Sequence, residues 1–221
     1  MESQARKSFD ENLGDIDRLL ALHEDKGGTE KGRRYGLEVL NKSAVVLICS
    51  YWEAYCEDIA SEALAHLIKH AKSPDQLPKI LRQVLATELK NDSNQLAVWR
   101  LAGSNWRKEI ESRFETIKRQ RNRKLNTPKS AEIDKLFSEA IGLENVSSSW
   151  RWSKKLTIDG ARKKLDGFIE LRGAIAHRGK ASKSVTKAQA TDFLSFAKNL
   201  AARTGGKVNT FVTQAVGSAL W

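Results

Sequence analysis

An arginine and a histidine stand five positions apart near the end of a predicted apolar helix, where Arg172 precedes His177. Imidazole titrates near neutral pH, so His177 can accept or donate a proton during a reaction. The guanidinium of Arg172 keeps its positive charge and can contact a phosphate group through two hydrogen bonds. Together the two side chains have the chemistry to transfer a proton and to stabilise developing negative charge.

Helical geometry places these two side chains on different faces of one helix. At about 100° per residue, Arg172 falls inside the apolar stripe that contains Leu165. A cation on such a stripe is costly unless it is paired or lines a wet cleft. His177 falls about 140° away from the arginine. Asp166 and Glu170 flank the histidine there, and they are predicted to orient the imidazole and to raise its pKa.

Two interpretations of this pair stay open. The residues can be purely structural, because a histidine near a helix end interacts favourably with the helix dipole and an arginine can snorkel from an apolar face. If the pair acts in one site, its divergence requires one of two arrangements. Either the helix loosens near Gly173, or a second subunit completes the site.

The net charge of +11 is distributed unevenly along the 221 residues. Residues 1–70 hold nine Lys/Arg and thirteen Asp/Glu, whereas residues 151–187 hold eleven basic and three acidic side chains. Positive charge around the motif attracts a phosphate backbone and predicts salt-dependent binding. The residues predicted to make these contacts are Arg151, Lys154, Lys155, Arg178 and Lys180. The alternative is a solvated basic surface without a partner.

Apolar residues recur at helical spacing along the chain, and no strand pattern persists. A single helical domain is expected over residues 1–221. Its first helix is expected over Gln4 to Leu22, within an N-terminal helix and turn that occupy residues 1–30. The second helix, from Tyr35 to about Ala71, is apolar on more than one face, so it is expected to be central or to lie in an interface.

The motif helix is expected to span about Ile158 to Arg178, with Thr157 as its N-cap. A last helix is expected over Lys187 to Arg203. The Gly205-Gly206 pair then predicts a helix end, followed by an apolar C-terminal tail over residues 205–221. The sequence contains no run of about eighteen apolar residues, so no membrane span is predicted.

Other candidate chemistry is weaker. Glu62, His66 and His70 lie one helical turn apart and could ligate a metal, but a full site needs further ligands, so neither a metal nor a cofactor is expected. Cys49 and Cys56 lie about 10.5 Å apart along one helix, too far for a disulfide. They are expected to be buried thiols in a reducing compartment, which favours the cytoplasm.

Six tryptophans are many for this length. Trp150 and Trp152 lie on either side of Arg151 in a polar segment. They can stack on unpaired bases or anchor the loop to the core. The residues expected in the core or in an interface are Trp52, Trp99 and Trp106.

The motif segment "ELRGAIAHRG" resembles the Arg-(four to six residues)-His signature of the HEPN superfamily. The segment "SYWEAYCEDIASEAL", Ser50 to Leu64, resembles the aromatic-rich long helix of the RiboL-PSP-HEPN branch. The likeness extends roughly from Tyr35 to Arg203. Many active members have a polar residue directly after the arginine, where this chain has Gly173, and the tyrosine typical of another branch is replaced by Gly179.

This resemblance implies an all-α helical bundle of the HEPN type that acts as a metal-independent endoribonuclease. Arg172 and His177 would be its catalytic residues, and the products would be a 2′,3′-cyclic phosphate and a 5′-hydroxyl. The resemblance also implies a homodimer whose motif helices meet across a cleft. Such enzymes commonly serve as toxins or phage-defence effectors, so an antitoxin or a defence-system partner protein is expected beside the RNA.

Two other functions stay open. The chain can be a non-catalytic HEPN module that binds RNA, and Gly173 is the residue that favours this. It can also be a helical interaction subunit that docks on another protein through its second helix and its C-terminal tail.

Overall fold

The computed structural model describes residues 2–27, 36–122, 127–178 and 184–221. These ranges contain seven α-helices and three short 3-10 helices, with no strand, which confirms the predicted all-α fold. The α-helices are α1 (Gln4–Gly27), α2 (Glu38–His70), α3 (Lys79–Lys90), α4 (Asn105–Asn122), α5 (Ser130–Ile141), α6 (Ile158–Arg178) and α7 (Lys187–Val216). The 3-10 helices are Pro74–Gln76, Ala97–Leu101 and Val146–Ser149.

Helix α2 is the central element of the bundle. It is 33 residues long, on the order of 50 Å, and packs against α1, α4, α5, α6 and α7. Trp52 is fully buried at its middle, with its ring 6.0 Å from those of Tyr55 and Trp150. Most apolar residues on the several faces of α2 are therefore covered within the chain itself, although Val39 is 62% exposed, and this favours the central position over the interface position.

Helix α6 begins where the sequence predicted. The backbone N–H of Gly160 donates to Thr157 Oγ1 at 3.0 Å, which confirms Thr157 as the N-cap. Leu165 and Ile169 are buried, and Phe168 stacks on Phe193 of α7 with 3.9 Å between ring centroids. These contacts fix the orientation of the helix that carries the Arg-His motif.

The prediction that the last helix ends at Arg203 is wrong. Helix α7 starts with a capping box between Thr186 and Gln189 and continues through the glycine pair to Val216. It ends at Gly217, whose φ of 74° supplies the left-handed cap. Most of the predicted C-terminal tail is thus helical, and the backbone N–H of Leu220 donates to Asn209 of the same helix.

The tryptophans divide between the core and the surface. Trp150 is fully buried and its Nε1–H donates to Thr204 Oγ1 at 2.9 Å, so it anchors the loop to the core. Trp106 is also buried, as predicted. Trp99 is 71% exposed, which excludes the core position for it. None of the described helices combines the length and the apolarity that crossing a membrane requires.

Candidate active site

The Arg-His motif lies on one unbroken helix. Helix α6 continues through Gly173 to Arg178, so the alternative of a helix that loosens at this glycine is wrong. Arg172 is half-buried and His177 is exposed at the last turn. Because five residues of an α-helix rotate by about 140°, the two side chains of one protomer diverge.

The charge of Arg172 acts on two residues of α2. This positive charge lowers the pKa of Glu53 and of Cys49, although burial raises both values more strongly. The pKa of the Cys49 thiol is raised to about 12, so this cysteine stays protonated. The cation on the apolar stripe is thus near a half-buried carboxyl, which offsets part of its desolvation.

Glu53 is the site residue that the sequence reasoning missed. It lies inside the segment whose aromatic residues carried the family resemblance, directly after the buried Trp52. A carboxylate among buried neighbours on a central helix was an available signal, since such a group is costly without a nearby cation. Its proximity to Arg172 depends on the packing of α2 against α6, which the sequence alone does not supply.

Asp166 and Glu170 hold the start of α5. Asp166 accepts two hydrogen bonds from Ser130, at 2.7 Å from its backbone N–H and at 3.0 Å from its hydroxyl. Glu170 accepts one from Lys129 Nζ at 2.8 Å, and this bond raises the pKa of Lys129. These contacts give both carboxylates a structural role in the protomer. Their predicted role as supports of His177 stays a prediction.

Three of the residues predicted to contact a phosphate backbone lie before the amino-terminal end of α6, away from His177. Arg151, Lys154 and Lys155 are exposed in the loop before this helix. A surface recess of about 330 Å³ opens there, lined by Arg151, Trp152, Ser153, Lys154 and Arg203. Arg203, on α7, was not among the predicted residues. The side chain of Arg178 and all of Lys180 lie outside the described residues.

The histidine pair on α2 has structural contacts. His66 Nε2 lies 3.2 Å from the Ser218 carbonyl oxygen, and its ring stacks on that of His70 at 4.2 Å. Glu62 accepts a hydrogen bond from the backbone of Ala5. In the part of the chain that the structure describes, no three His, Cys, Asp or Glu residues are grouped as a metal site. Cys49 and Cys56 are free and buried, as predicted.

Comparison with protein families gives a match over almost the whole helical domain. The family model described as RiboL-PSP-HEPN matches residues 11–209. The chain belongs to the RiboL-PSP-HEPN family. The matched range extends beyond the sequence likeness at the N-terminal end and includes most of α1. Neither the comparison with curated proteins nor that with solved structures finds a significant match. Membership of this HEPN family indicates a nuclease or RNA-binding role.

Replacing Glu53 with glutamine is expected to remove a pH-dependent loss of stability. Burial raises the pKa of Glu53, so the folded protein holds this proton more tightly than the unfolded chain. Below the ordinary glutamate pKa the carboxyl is protonated in both states, and the cost of burying its charge is absent. Above the raised pKa of the folded protein the carboxyl is ionised, and the cost is complete. As the pH rises above the ordinary glutamate pKa of about 4 and through the raised pKa of Glu53, the stability of the wild type should therefore fall relative to that of Glu53→Gln.

Urea unfolding at several pH values measures this difference. Glu115→Gln, which changes an exposed carboxylate on α4, is the control and should follow the wild type at each pH. Superimposable curves for Glu53→Gln and the wild type would show that the buried carboxyl does not affect stability.

Proposed function

We propose that this RiboL-PSP-HEPN protein is a metal-independent endoribonuclease whose catalytic residues are Arg172 and His177. The observation that carries the proposal is the presence of a titratable imidazole and a fixed guanidinium on one helix of a HEPN domain. His177 is exposed and accessible to a substrate. Arg172 lies near enough to α2 for its charge to lower the pKa values of Glu53 and Cys49.

The chemistry uses the nucleophile that RNA itself carries. The 2′-oxygen attacks the adjacent phosphorus as an imidazole removes its proton, and the bond from phosphorus to the 5′-oxygen breaks. That leaving oxygen takes a proton from an imidazolium, so the products are a 2′,3′-cyclic phosphate and a 5′-hydroxyl. Arg172 stabilises the charge on the phosphorane oxygens through bidentate contact.

We infer that the working enzyme is a homodimer. Each residue from Leu171 to Ile175 is half-exposed, and a side chain added at Gly173 would meet nothing within 4 Å. This open surface on α6 suits close approach by the same helix of a second copy. An Arg172 and a His177 that diverge in one protomer can then face one cleft. The apolar surface of α2 no longer supports this inference, since the protomer buries it.

The RNA partner is expected to bind along the basic half of the chain. Arg151, Lys154 and Lys155 are exposed near one end of α6, and Arg178 and Lys180 follow the motif at its other end. Contacts with phosphates from these cations release counterions, so affinity should fall with salt. We place the enzyme in the cytoplasm as a toxin or phage-defence effector, held inactive or triggered by an antitoxin or another defence protein.

A non-catalytic role remains the second candidate, and two observations favour it. Gly173 stands where many active members have a polar side chain. In addition, Leu96, Val98 and Trp99, at the start of the 3-10 helix Ala97–Leu101, expose 68%, 48% and 71% of their surfaces, which suits contact with another protein. Helix α2 and the C-terminal segment support such contact less than the sequence suggested, because most of the apolar side chains of α2 are covered and residues 205–216 are part of α7.

A cleavage assay with modified substrates tests the proposed chemistry. We expect single-stranded RNA to be cut in the presence of EDTA, since the reaction uses an imidazole, a guanidinium and the substrate's own hydroxyl. RNA methylated at the 2′-oxygen and DNA of the same sequence should bind but resist cleavage, because the nucleophile is blocked or missing. Raising the salt concentration from 50 to 200 mM should weaken binding by at least about tenfold.

The two modified strands are matched controls for binding without chemistry. Cleavage of the methylated strand, or activity that EDTA abolishes and Mg²⁺ restores, would refute the mechanism. Ends that carry a 5′-phosphate would do the same, because attack by the 2′-oxygen leaves a 5′-hydroxyl.

A further inference from the structure

The loop that forms the recess before α6 is anchored by a buried hydrogen bond. Trp150, which precedes its first lining residue, is fully buried and hydrogen-bonded to Thr204 of α7. The hydroxyl of Ser149 donates to the Val146 carbonyl oxygen at 2.8 Å and lies 3.3 Å from that of Arg203. The 3-10 helix Val146–Ser149 packs on α7, so the loop lies against α7 beside Arg203. The lining side chains therefore project from a fixed backbone.

In the part of the chain that the structure describes, three cations of the recess have no carboxylate beside them. On α6, Arg162 pairs with Asp159 at 3.2 Å, and Lys164 pairs with an aspartate of α7 at 2.7 Å. Among the described residues, by contrast, Arg151, Lys154 and Arg203 form no ion pair within the 4.0 Å limit. Three positive charges around one opening without internal compensation form a field that attracts anions.

An aromatic ring lies among these charges. Trp152 is half-exposed, and its ring packs against that of Phe196 with 5.5 Å between centroids. This contact restrains the indole and leaves part of it in the wall of the recess. A restrained aromatic ring beside cations is the arrangement on which single-stranded nucleic acids stack a base. A duplex keeps its bases stacked inside and cannot offer one to this ring.

We propose that the recess is a second RNA site, which stacks an unpaired base on Trp152 and binds the flanking phosphates through Arg151, Lys154 and Arg203. Because the recess lies at the amino-terminal end of α6, it is about 30 Å along the helix from His177. A stacked strand covers that distance with on the order of nine nucleotides. The second site thus selects long single strands. It rests on the proposed function in that the same RNA reaches the Arg172–His177 pair.

Fluorescence anisotropy tests the proposal, with a protein variant that is expected not to cleave its RNA probe. The protein carries His177→Ala. The probe is a labelled single-stranded RNA of about sixteen nucleotides, which is longer than the distance from the recess to His177 requires. Adding Arg151→Ala and Arg203→Ala should weaken binding at least tenfold and lower the slope of log affinity against log salt by about two. Adding Trp152→Leu alone should weaken binding about tenfold with the salt slope unchanged.

The matched control removes two exposed lysines of α3, Lys79→Ala with Lys90→Ala, and should change affinity by less than about threefold. Equal losses in the control and in the Arg151–Arg203 variant would overturn the second site, as would equal affinity for a duplex. A mononucleotide that saturates the recess without displacing the RNA would overturn it in favour of a small-molecule site.

These outcomes are separate from those of the cleavage assay. A wild type that cuts no RNA, with binding that still depends on Arg151, Trp152 and Arg203, would refute the proposed function and leave the second site standing. A wild type that cuts RNA, with binding indifferent to those three residues, would refute the second site alone.

Discussion

Replacing His177 with alanine is expected to lower the rate of RNA cleavage by at least about a hundredfold, the usual contribution of a general acid or base. The substitution should barely change stability, because the side chain is exposed at the last turn of α6. Its interaction with the helix dipole amounts to about 0.3–1 kcal/mol, so the midpoint of thermal unfolding should fall by no more than about 4 °C. Rate measurements and calorimetry on the same preparations separate the two effects.

Arg172→Ala should abolish cleavage as well, since the phosphorane would lose its fixed positive charge. Arg172→Lys keeps a charge without the bidentate geometry and should recover only part of the rate. Arg18→Ala, which removes an exposed arginine of α1, is the control and should cut RNA at the wild-type rate. Cleavage by His177→Ala or Arg172→Ala at that rate would end the enzyme proposal.

Mixing the two inactive variants tests whether two subunits share the site. If a cleft takes Arg172 from one protomer and His177 from the other, heterodimers of Arg172→Ala and His177→Ala contain one cleft with both residues. Activity should then return to roughly half of that of the wild type per heterodimer. Mixtures that stay inactive, although light scattering shows heterodimers, would place each site within one protomer.

The sequence was most informative where local and tertiary signals agree. Helix α6 has a threonine cap, a buried stripe of Leu165 and Ile169, and charged residues on its other side, so its bounds could be predicted. Helix α2 was harder to place, because an apolar surface on several faces fits both a central helix and an interface. Only the packing of five neighbouring helices shows that the protomer itself covers it.

Part of the candidate site could not be predicted from the motif. Arg172 and His177 were predicted from residue type, spacing and the family resemblance, and their divergence followed from helix geometry. Glu53 and Arg203 come from other helices, and their positions depend on long-range contacts that periodicity does not encode. Asp166 looked like a partner of His177 on the helical wheel, yet its hydrogen bonds go to Ser130 of α5. A wheel shows neighbours on one helix and omits those across the bundle.

The glycine pair in α7 misled the sequence reasoning, and its two members should respond oppositely to alanine. A Cβ at Gly205 would lie 2.7 Å from the hydroxyl oxygen of Tyr55, which is buried and donates to the Ala201 carbonyl at 2.8 Å. A Cβ at Gly206 would meet nothing within 4 Å, and this residue is exposed. Gly205 is therefore required because the Tyr55 hydroxyl approaches its backbone closely. Gly206 has no such neighbour and only adds backbone entropy to the unfolded chain.

Gly205→Ala is expected to lower the free energy of unfolding by about 2–4 kcal/mol, because the Tyr55 hydroxyl must move within a packed core and lose its hydrogen bond. Gly206→Ala should raise that free energy by about 0.5–1 kcal/mol. Urea unfolding measures both. Tyr55→Phe removes the oxygen that clashes, so the double variant with Gly205→Ala should be less destabilised than the sum of the single variants. Additive losses, or equal effects at the two glycines, would show that α7 does not pack against Tyr55 through Gly205.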